Sequence, residues 1–340
     1  MKACVLEAVN QLEYKEVPTP IAGKGEVLLH IKACGICSSD FSRVFKSGTY
    51  HFPTIPGHEF SGIIEAVGDG VSKDLIGRRA VVFPLLPCNE CEQCKLGNYA
   101  LCADYNYFGS RCDGGFAEYL ATPLWNIRLF DDTIPYQVAA LAEPAAVAWH
   151  AVAAADLKEG EYVCISGTGT IAIMCGIWAR KKGVRVIFPV RNKAKEEFLH
   201  SFEGFETILV DDDIDTAIKN CCPNGVDVVL ECVGSPESIC NAVKWVKTRG
   251  RVVLVGNPSG DVHLPQKLYW RILRSELTLT GVWNSVYPGE WEQVLTEIND
   301  IKDTLARLIT HTFPLSAGKR AFDQLVSGEE FLIKALYSNE

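Results

Sequence analysis

From Tyr162 onward the chain alternates short apolar runs with stretches of helical pattern. The runs are Tyr162–Ser166, Val184–Phe188, Thr207–Val210, Asp227–Cys232, Arg251–Gly256 and Leu277–Trp283. Strands that alternate with helices predict a parallel sheet covered on both faces. The first run leads into Gly167-Thr168-Gly169-Thr170-Ile171-Ala172, and a helical pattern follows. This is G-x-G-x-x-A. Gly167 permits a tight turn, Gly169 lets the backbone approach a pyrophosphate, and Ala172 is small enough for close helix–sheet packing. The helix N-terminus offers unpaired N–H groups to the phosphates. Alone, the motif also fits a plain tight turn. Its place in a βαβ run makes it read as a dinucleotide site built on Gly167, Thr168, Gly169, Thr170 and Ile171.

The end of the second strand bears on which dinucleotide. An NAD site usually carries an acidic residue there for the ribose 2′-OH. Here the segment is Val186-Ile-Phe-Pro-Val-Arg191-Asn-Lys193, with no acid. The expectation is NADP, its 2′-phosphate against Arg191 with Lys193, and NAD is the alternative. The competing reading makes both residues solvated surface charges.

The first 145 or so residues look β-rich, with Gly25–Lys32 and Ser61–Val67 as strand candidates. Ala145–Ala155 is Ala-rich and reads as a helix crossing into the second region. The tail from about Trp291 reads as a helix followed by short strands that return to the first domain. The expected domains are 1–145, with a lobe at about 84–104, then 146–285, then 286–340. The nucleotide domain is thereby inserted, with the active site between the two.

That lobe holds Cys88, Cys91, Cys94 and Cys102, spaced C-x2-C-x2-C-x7-C. Four thiolates on one short loop suit a closed tetrahedral Zn²⁺ site. Buried or disulfide-bonded cysteines are the other reading. It is disfavoured by the tight spacing and by the opening Met1-Lys-Ala-Cys-Val-Leu6, which lacks a signal-peptide pattern. Fourteen cysteines without an export signal point to reduced thiols in a cytoplasm. A net charge of −9 argues against general nucleic-acid binding, and no apolar run is long enough to span a membrane.

A second donor set is mixed: Cys37 in Cys34-Gly-Ile-Cys37-Ser-Ser-Asp40, His58-Glu59 after Gly57, and Glu143 before Pro144. One thiolate, one imidazole and one or two carboxylates can leave a coordination position open, the pattern of a catalytic rather than a structural zinc. Spacing alone does not join residues so far apart.

Taken with the four-cysteine lobe and the Gly167–Ala172 turn, these motifs resemble the zinc-dependent medium-chain dehydrogenases over essentially the whole chain. The likeness is to the sorbitol dehydrogenase branch, which uses a Glu at the third catalytic position. The resemblance implies a Rossmann doubly wound parallel sheet plus a β-rich GroES-like catalytic domain. It also implies two zinc ions per chain: a catalytic one near Cys37, His58, Glu59 and Glu143, and a structural one on the lobe. The cofactor set further includes Val233, Gly256 and Asn257. The implied reaction is hydride transfer between a secondary alcohol and NAD(P)⁺. Substrates are then small polyol phosphates or, alternatively, free polyols and other secondary alcohols. Ser39 is the candidate first proton relay, or else caps a helix start. Arg43 and Lys46 are candidates for a substrate phosphate, or else lie on a solvated helix face. A non-catalytic cofactor-binding or crystallin-like role conflicts with the presence of all four catalytic donors. Relatives form homodimers or homotetramers, and an edge strand near Leu277–Trp283 suits such pairing. Among the remaining cysteines, Cys164, Cys175 and Cys232 read as small core residues.

Overall fold

The computed structural model describes residues 1–209, 213–258, 260–328 and 330–339. Val210, expected to end the third strand, and Glu329 and Glu340 of the tail lie outside the described residues. The chain divides into two units, Met1–Pro144 with Val286–Glu340, and Ala145–Ser285.

The second unit is built on six parallel strands: β1 (Tyr162–Ser166), β2 (Arg185–Val190), β3 (Phe205–Leu209), β4 (Val226–Glu231), β5 (Val246–Leu254) and β6 (Thr278–Gly281). Their order is β3-β2-β1-β4-β5-β6. This is the doubly wound order in which nucleotides bind beyond the strand ends where the winding reverses. Its interior strands are buried through Cys164, Ile187, Val229 and Val252, so they read as continuous apolar runs rather than as alternation. Every strand but β1 differs from its expected bounds, and three of the differences are instructive. β2 runs on through Pro189 to Val190, because β1 pairs with it only as far as Ile187. Beyond that point β2 is bonded on the β3 side alone, so Pro189 falls where only one neighbouring strand remains, as proline in a sheet usually does. β5 starts at Val246 and ends at Leu254. Its polar Lys247-Thr-Arg-Gly250 stretch coincides with a register shift against β4, and a bulge of this kind hides the first part of the strand from an apolar-run reading. β6 is shorter than expected.

The first unit carries a seven-stranded sheet. Its path is Ile309–Pro314, Lys334–Ser338, Glu26–Ile36, Glu59–Val67, Arg79–Val82 and Ile127–Leu129, with Tyr119–Pro123 also paired to Glu26–Ile36. In Glu26–Ile36 the buried residues alternate at Val27, Leu29, Ile31 and Ala33, after which every residue to Ile36 is buried. That change marks where Lys334–Ser338 pairs with it, Leu336 opposite Gly35 and Tyr337 opposite Cys34. The core gathers Leu29, Ile31, Phe116, Phe322 and Tyr337. Each fully buried large side chain contributes about 1.5–3 kcal/mol. The tail also anchors through Tyr287, whose ring stacks on Phe83 at 4.3 Å, and through the buried Trp291. No helix among the described residues is long and apolar enough to cross a membrane.

Candidate metal centres and cofactor site

The lobe brings its four cysteines together: one ligand atom from each of Cys88, Cys91, Cys94 and Cys102 lies within 4.8 Å of the others. Cys88 Sγ and Cys94 Sγ are 3.9 Å apart. Four sulfurs at about 2.3 Å from one zinc are about 3.8 Å apart along the tetrahedron edges, so the donor set fits. A disulfide would need about 2.05 Å. Backbone N–H groups of Cys94 and Ala103 hold the Cys91 thiol down at about 6. Burial, followed by the neighbouring thiols, pushes Cys94 up to about 12. A cation in their midst would relieve that repulsion.

In the mixed set, Cys37, His58 and Glu59 form a second cluster within the same 4.8 Å limit. Cys37 N-caps the short helix Ser38–Ser42, and its backbone N–H donates to Asp40 Oδ2 at 2.9 Å. Asp40 is fully buried. Its other oxygen, Oδ1, lies 3.5 Å from His58 Nδ1 and accepts from Arg43 Nη1 at 2.8 Å. Burial alone would raise the Asp40 carboxyl. The charges of His58 and Arg43 and the Cys37 N–H overcome it and hold the group at about 2. A carboxylate behind one imidazole nitrogen orients the ring and leaves Nε2 as the other donor. Asp40 was quoted in the motif, but its supporting role was not read there. An Asp three residues after a candidate ligand, opening a helix, was the available signal. Replacing Asp40 with Asn should weaken zinc retention about 10- to 100-fold, measured by competition with a chelator; unchanged retention would remove the orienting role.

Glu59 is held across Gly35 from the tail strand. Lys334, on the tail strand, is buried and ion-paired with Glu59 Oε2, and it donates to the Ile36 carbonyl at 3.1 Å. Burial lowers the Lys334 pKa, but Glu59, Cys37 and Asp40 more than offset this and raise it. Gly35 makes the room: a Cβ there would lie 2.1 Å from Glu59 Oε2. A lysine within Leu332-Ile-Lys334-Ala-Leu-Tyr337 was the overlooked sign. Glu143 is not part of the 4.8 Å cluster. Buried in the first turn of helix Ala142–Ala154, it accepts from the Tyr107 hydroxyl at 3.3 Å, and the Tyr107 ring lies 5.7 Å from that of His58. Burial and the Glu59 charge raise Glu143 to about 7 against the pull of His58 and Lys334.

At the strand ends of the second unit, Gly167 adopts φ +117°, a region that favours glycine. Gly169 caps helix Thr170–Arg180, and a Cβ added to it would meet nothing within 4 Å. Glu231, at the end of β4, accepts from the Val233 and Gly234 N–H groups at 2.8 and 3.0 Å. The loops Val233-Gly234 and Gly256-Asn257 pass so closely that a Cβ on Gly234 would lie 2.0 Å from the Asn257 carbonyl oxygen. A cleft of about 270 Å³ is lined by Gly167, Thr168, Arg191, Asn192, Val233 and Glu237, among others. Ligand pockets run to roughly 300–1,000 Å³, so this one suits a portion of a dinucleotide. Arg191 faces Glu237 Oε1 at 3.4 Å, both largely exposed. Lys193 opens the next helix and is exposed.

Residues 23–131 match the alcohol dehydrogenase GroES-like domain and residues 167–300 the zinc-binding dehydrogenase domain. Galactitol 1-phosphate 5-dehydrogenase of Escherichia coli K12 is 34% identical over 323 residues, 92% of each chain. The chain belongs to the zinc-dependent medium-chain dehydrogenases. Sorbitol dehydrogenase of Bacillus subtilis is 29% identical, covering 99% of this chain and 96% of its own. The crystal structure of galactitol-1-phosphate dehydrogenase from Escherichia coli superposes with a TM-score of 0.91 at 32% identity, covering 99% of this chain and all of the other. A Sinorhizobium meliloti 1021 protein solved with bound NADP gives 0.89 at 27%, covering 99% and 98%.

In this dehydrogenase Arg43 is not on a solvated face. Its guanidinium is engaged by Asp40 and by Ser39 Oγ at 3.0 Å, so it supports the buried cluster instead of standing free for a phosphate. Lys46 is exposed. Ser39 does not cap the helix, since Cys37 does. Its hydroxyl oxygen accepts from Arg43, which leaves its own proton free to donate. Cys164 and Cys175 are fully buried, whereas Cys232 lies just past β4 and is half-buried.

Proposed function

We propose that this oxidoreductase oxidises a secondary hydroxyl of a sugar-alcohol phosphate like galactitol 1-phosphate to the ketose phosphate, with NADP⁺ as acceptor and two zinc ions per chain. The observation that carries the chemistry is the mixed cluster of Cys37, His58 and Glu59 beside Glu143, which offers fewer strong donors than the four-thiolate lobe. A metal held there would lower the pKa of a coordinated hydroxyl, and the nicotinamide would take the hydride. The chain's own residues hold that site. Asp40 fixes the His58 ring, Lys334 restrains one Glu59 oxygen, and Tyr107 holds Glu143 through its hydroxyl. Ser39, bonded to Arg43, is the first proton relay in this reading; Ser39→Ala should lower kcat about 100-fold, at the lower end for a positioned proton-transfer group, and an undiminished rate would remove it from the relay.

The relationship to galactitol 1-phosphate 5-dehydrogenase supports the phosphorylated substrate. The relationship to sorbitol dehydrogenase favours a free polyol as the second reading. Arg191 at the cleft and the acid-free end of β2 support NADP. Glu237 opposes this, because its carboxylate competes with a 2′-phosphate for Arg191. The deciding measurement is the initial rate with galactitol 1-phosphate and with galactitol, each with NADP⁺ and NAD⁺. A preference for the phosphate ester and NADP⁺ is expected. Activity on free polyols alone would leave the zinc dehydrogenase chemistry and remove the substrate assignment. Equal efficiency with both cofactors would remove the Arg191 argument. We further propose a homo-oligomer formed along β6, an edge strand whose Leu279 is exposed; a monomer in sedimentation equilibrium would refute it.

A further inference from the structure

Arg43 is engaged by Asp40 and Lys46 is an exposed ammonium that offers no planar fork, and we infer that Arg111 is the phosphate-binding residue of this dehydrogenase. The inference rests on the polyol-phosphate reading above and adds the group that recognises the ester. Arg111 lies on the loop that follows Tyr107, and its backbone N–H donates to the Tyr107 carbonyl at 2.9 Å. The guanidinium lies over two aromatic rings, with its carbon 4.4 Å from the Tyr50 centroid and 4.4 Å from the Tyr105 centroid. These two contacts restrict the fork and leave its remaining N–H groups for hydrogen bonds. Of its five N–H donors, one goes to the Tyr105 carbonyl at 2.9 Å and one to the Tyr50 hydroxyl at 3.4 Å. Among the described residues the other three have no protein partner and Arg111 makes no ion pair.

Each of the other guanidinium groups around the metal cluster and cofactor cleft that the sequence singled out has a carboxylate partner: Arg43 has Asp40 and Arg191 has Glu237. Arg111 is therefore a pre-oriented cation whose charge is not already neutralised. It is also connected to the reacting centre. The Tyr105 ring lies 6.3 Å from the Tyr107 ring, which lies 5.7 Å from His58, while the Tyr107 hydroxyl reaches Glu143. The Arg111 guanidinium is thus linked to the Cys37–His58–Glu59 cluster through the rings of Tyr105 and Tyr107, all within the first unit. A planar fork matches a phosphate with two parallel N–H···O bonds, which an ammonium cannot reproduce.

The test is kcat/KM for galactitol 1-phosphate and for galactitol, in the zinc-loaded wild-type protein and in Arg111→Met, which keeps an unbranched side chain against the two rings. The expected result is a loss of about 10- to 100-fold for the phosphate ester, the cost of charge-assisted hydrogen bonds. It should appear mainly in KM, with the rate on galactitol and the zinc content unchanged. A merely structural Arg111 would lower both substrates together, and that outcome, or no change in either, overturns the assignment while leaving the phosphate preference of the wild type standing. If the wild type itself shows no preference for the ester, the polyol-phosphate reading fails, and the Arg111 assignment with it. Should Arg111→Met not fold, Arg111→Lys decides: it should lose selectivity for the ester severalfold, and a wild-type selectivity ratio in that variant overturns the inference.

Discussion

Replacing Lys334 with methionine should destabilise the metal-free protein by about 3–5 kcal/mol, the usual cost of breaking a buried pair by removing one partner. The size follows from where the ion is. Lys334 and Glu59 are 3% and 2% exposed at their side chains, and no water replaces the ammonium when it is removed. Gly35, which has no Cβ, lets the Glu59 carboxylate lie against the sheet beside Lys334. The measurement is urea unfolding of Lys334→Met, Glu59→Gln and the double variant. The double variant should recover most of the loss, because neutralising Glu59 removes the unpaired charge; a loss that is simply additive would show that the two groups do not act as a pair.

Cys91→Ser should cost the chain its lobe metal and leave the mixed centre loaded. The four sulfurs lie within 4.8 Å of one another, Cys88 and Cys94 at 3.9 Å, and a structural zinc supplies about 10–16 kcal/mol in small zinc-binding peptides. Within 88–102 the elements are the short helix Glu92–Lys95 and one 3-10 turn. Neither is long enough to persist in isolation. The variant should therefore bind one zinc fewer per chain by metal analysis and become open to proteolysis within the lobe. Full zinc occupancy in Cys91→Ser would show that the site does not depend on all four thiolates.

How much was legible in the sequence depended on whether a residue's partner was near it in the chain. The lobe's cysteines lie within one short stretch, so spacing alone exposed them. The glycine turn announced itself because strand, turn and helix are contiguous. The strands of the parallel sheet were visible as apolar runs, β5 only in its second part, because Lys247-Thr-Arg-Gly250 interrupts the pattern at a bulge. The supporting contacts of the mixed centre were not legible in the same way. Arg43 looked like a free cation because its partner Asp40 was read as part of a motif and not as a buried charge. Lys334 was invisible as a partner of Glu59, since nothing in a linear pattern pairs residues so distant. Glu237 escaped notice for the same reason: the acid near the cofactor cleft arrives from a helix after β4 and not from the end of β2.

The contact from Lys334 to the Ile36 carbonyl joins groups 298 positions apart, and this sets an order of events for a chain being made from its N-terminus. The cysteine lobe needs only its own short segment and can take up metal early. The Glu59 carboxylate must wait, with its counter-charge absent, until residue 334 has been synthesised and its strand has closed onto Glu26–Ile36. Closing so long a loop is slow. The Cys37–His58–Glu59 cluster is thus among the last parts of the first unit to mature, and a chain that stops short of Lys334 would hold all four lobe cysteines but no counter-charge for Glu59.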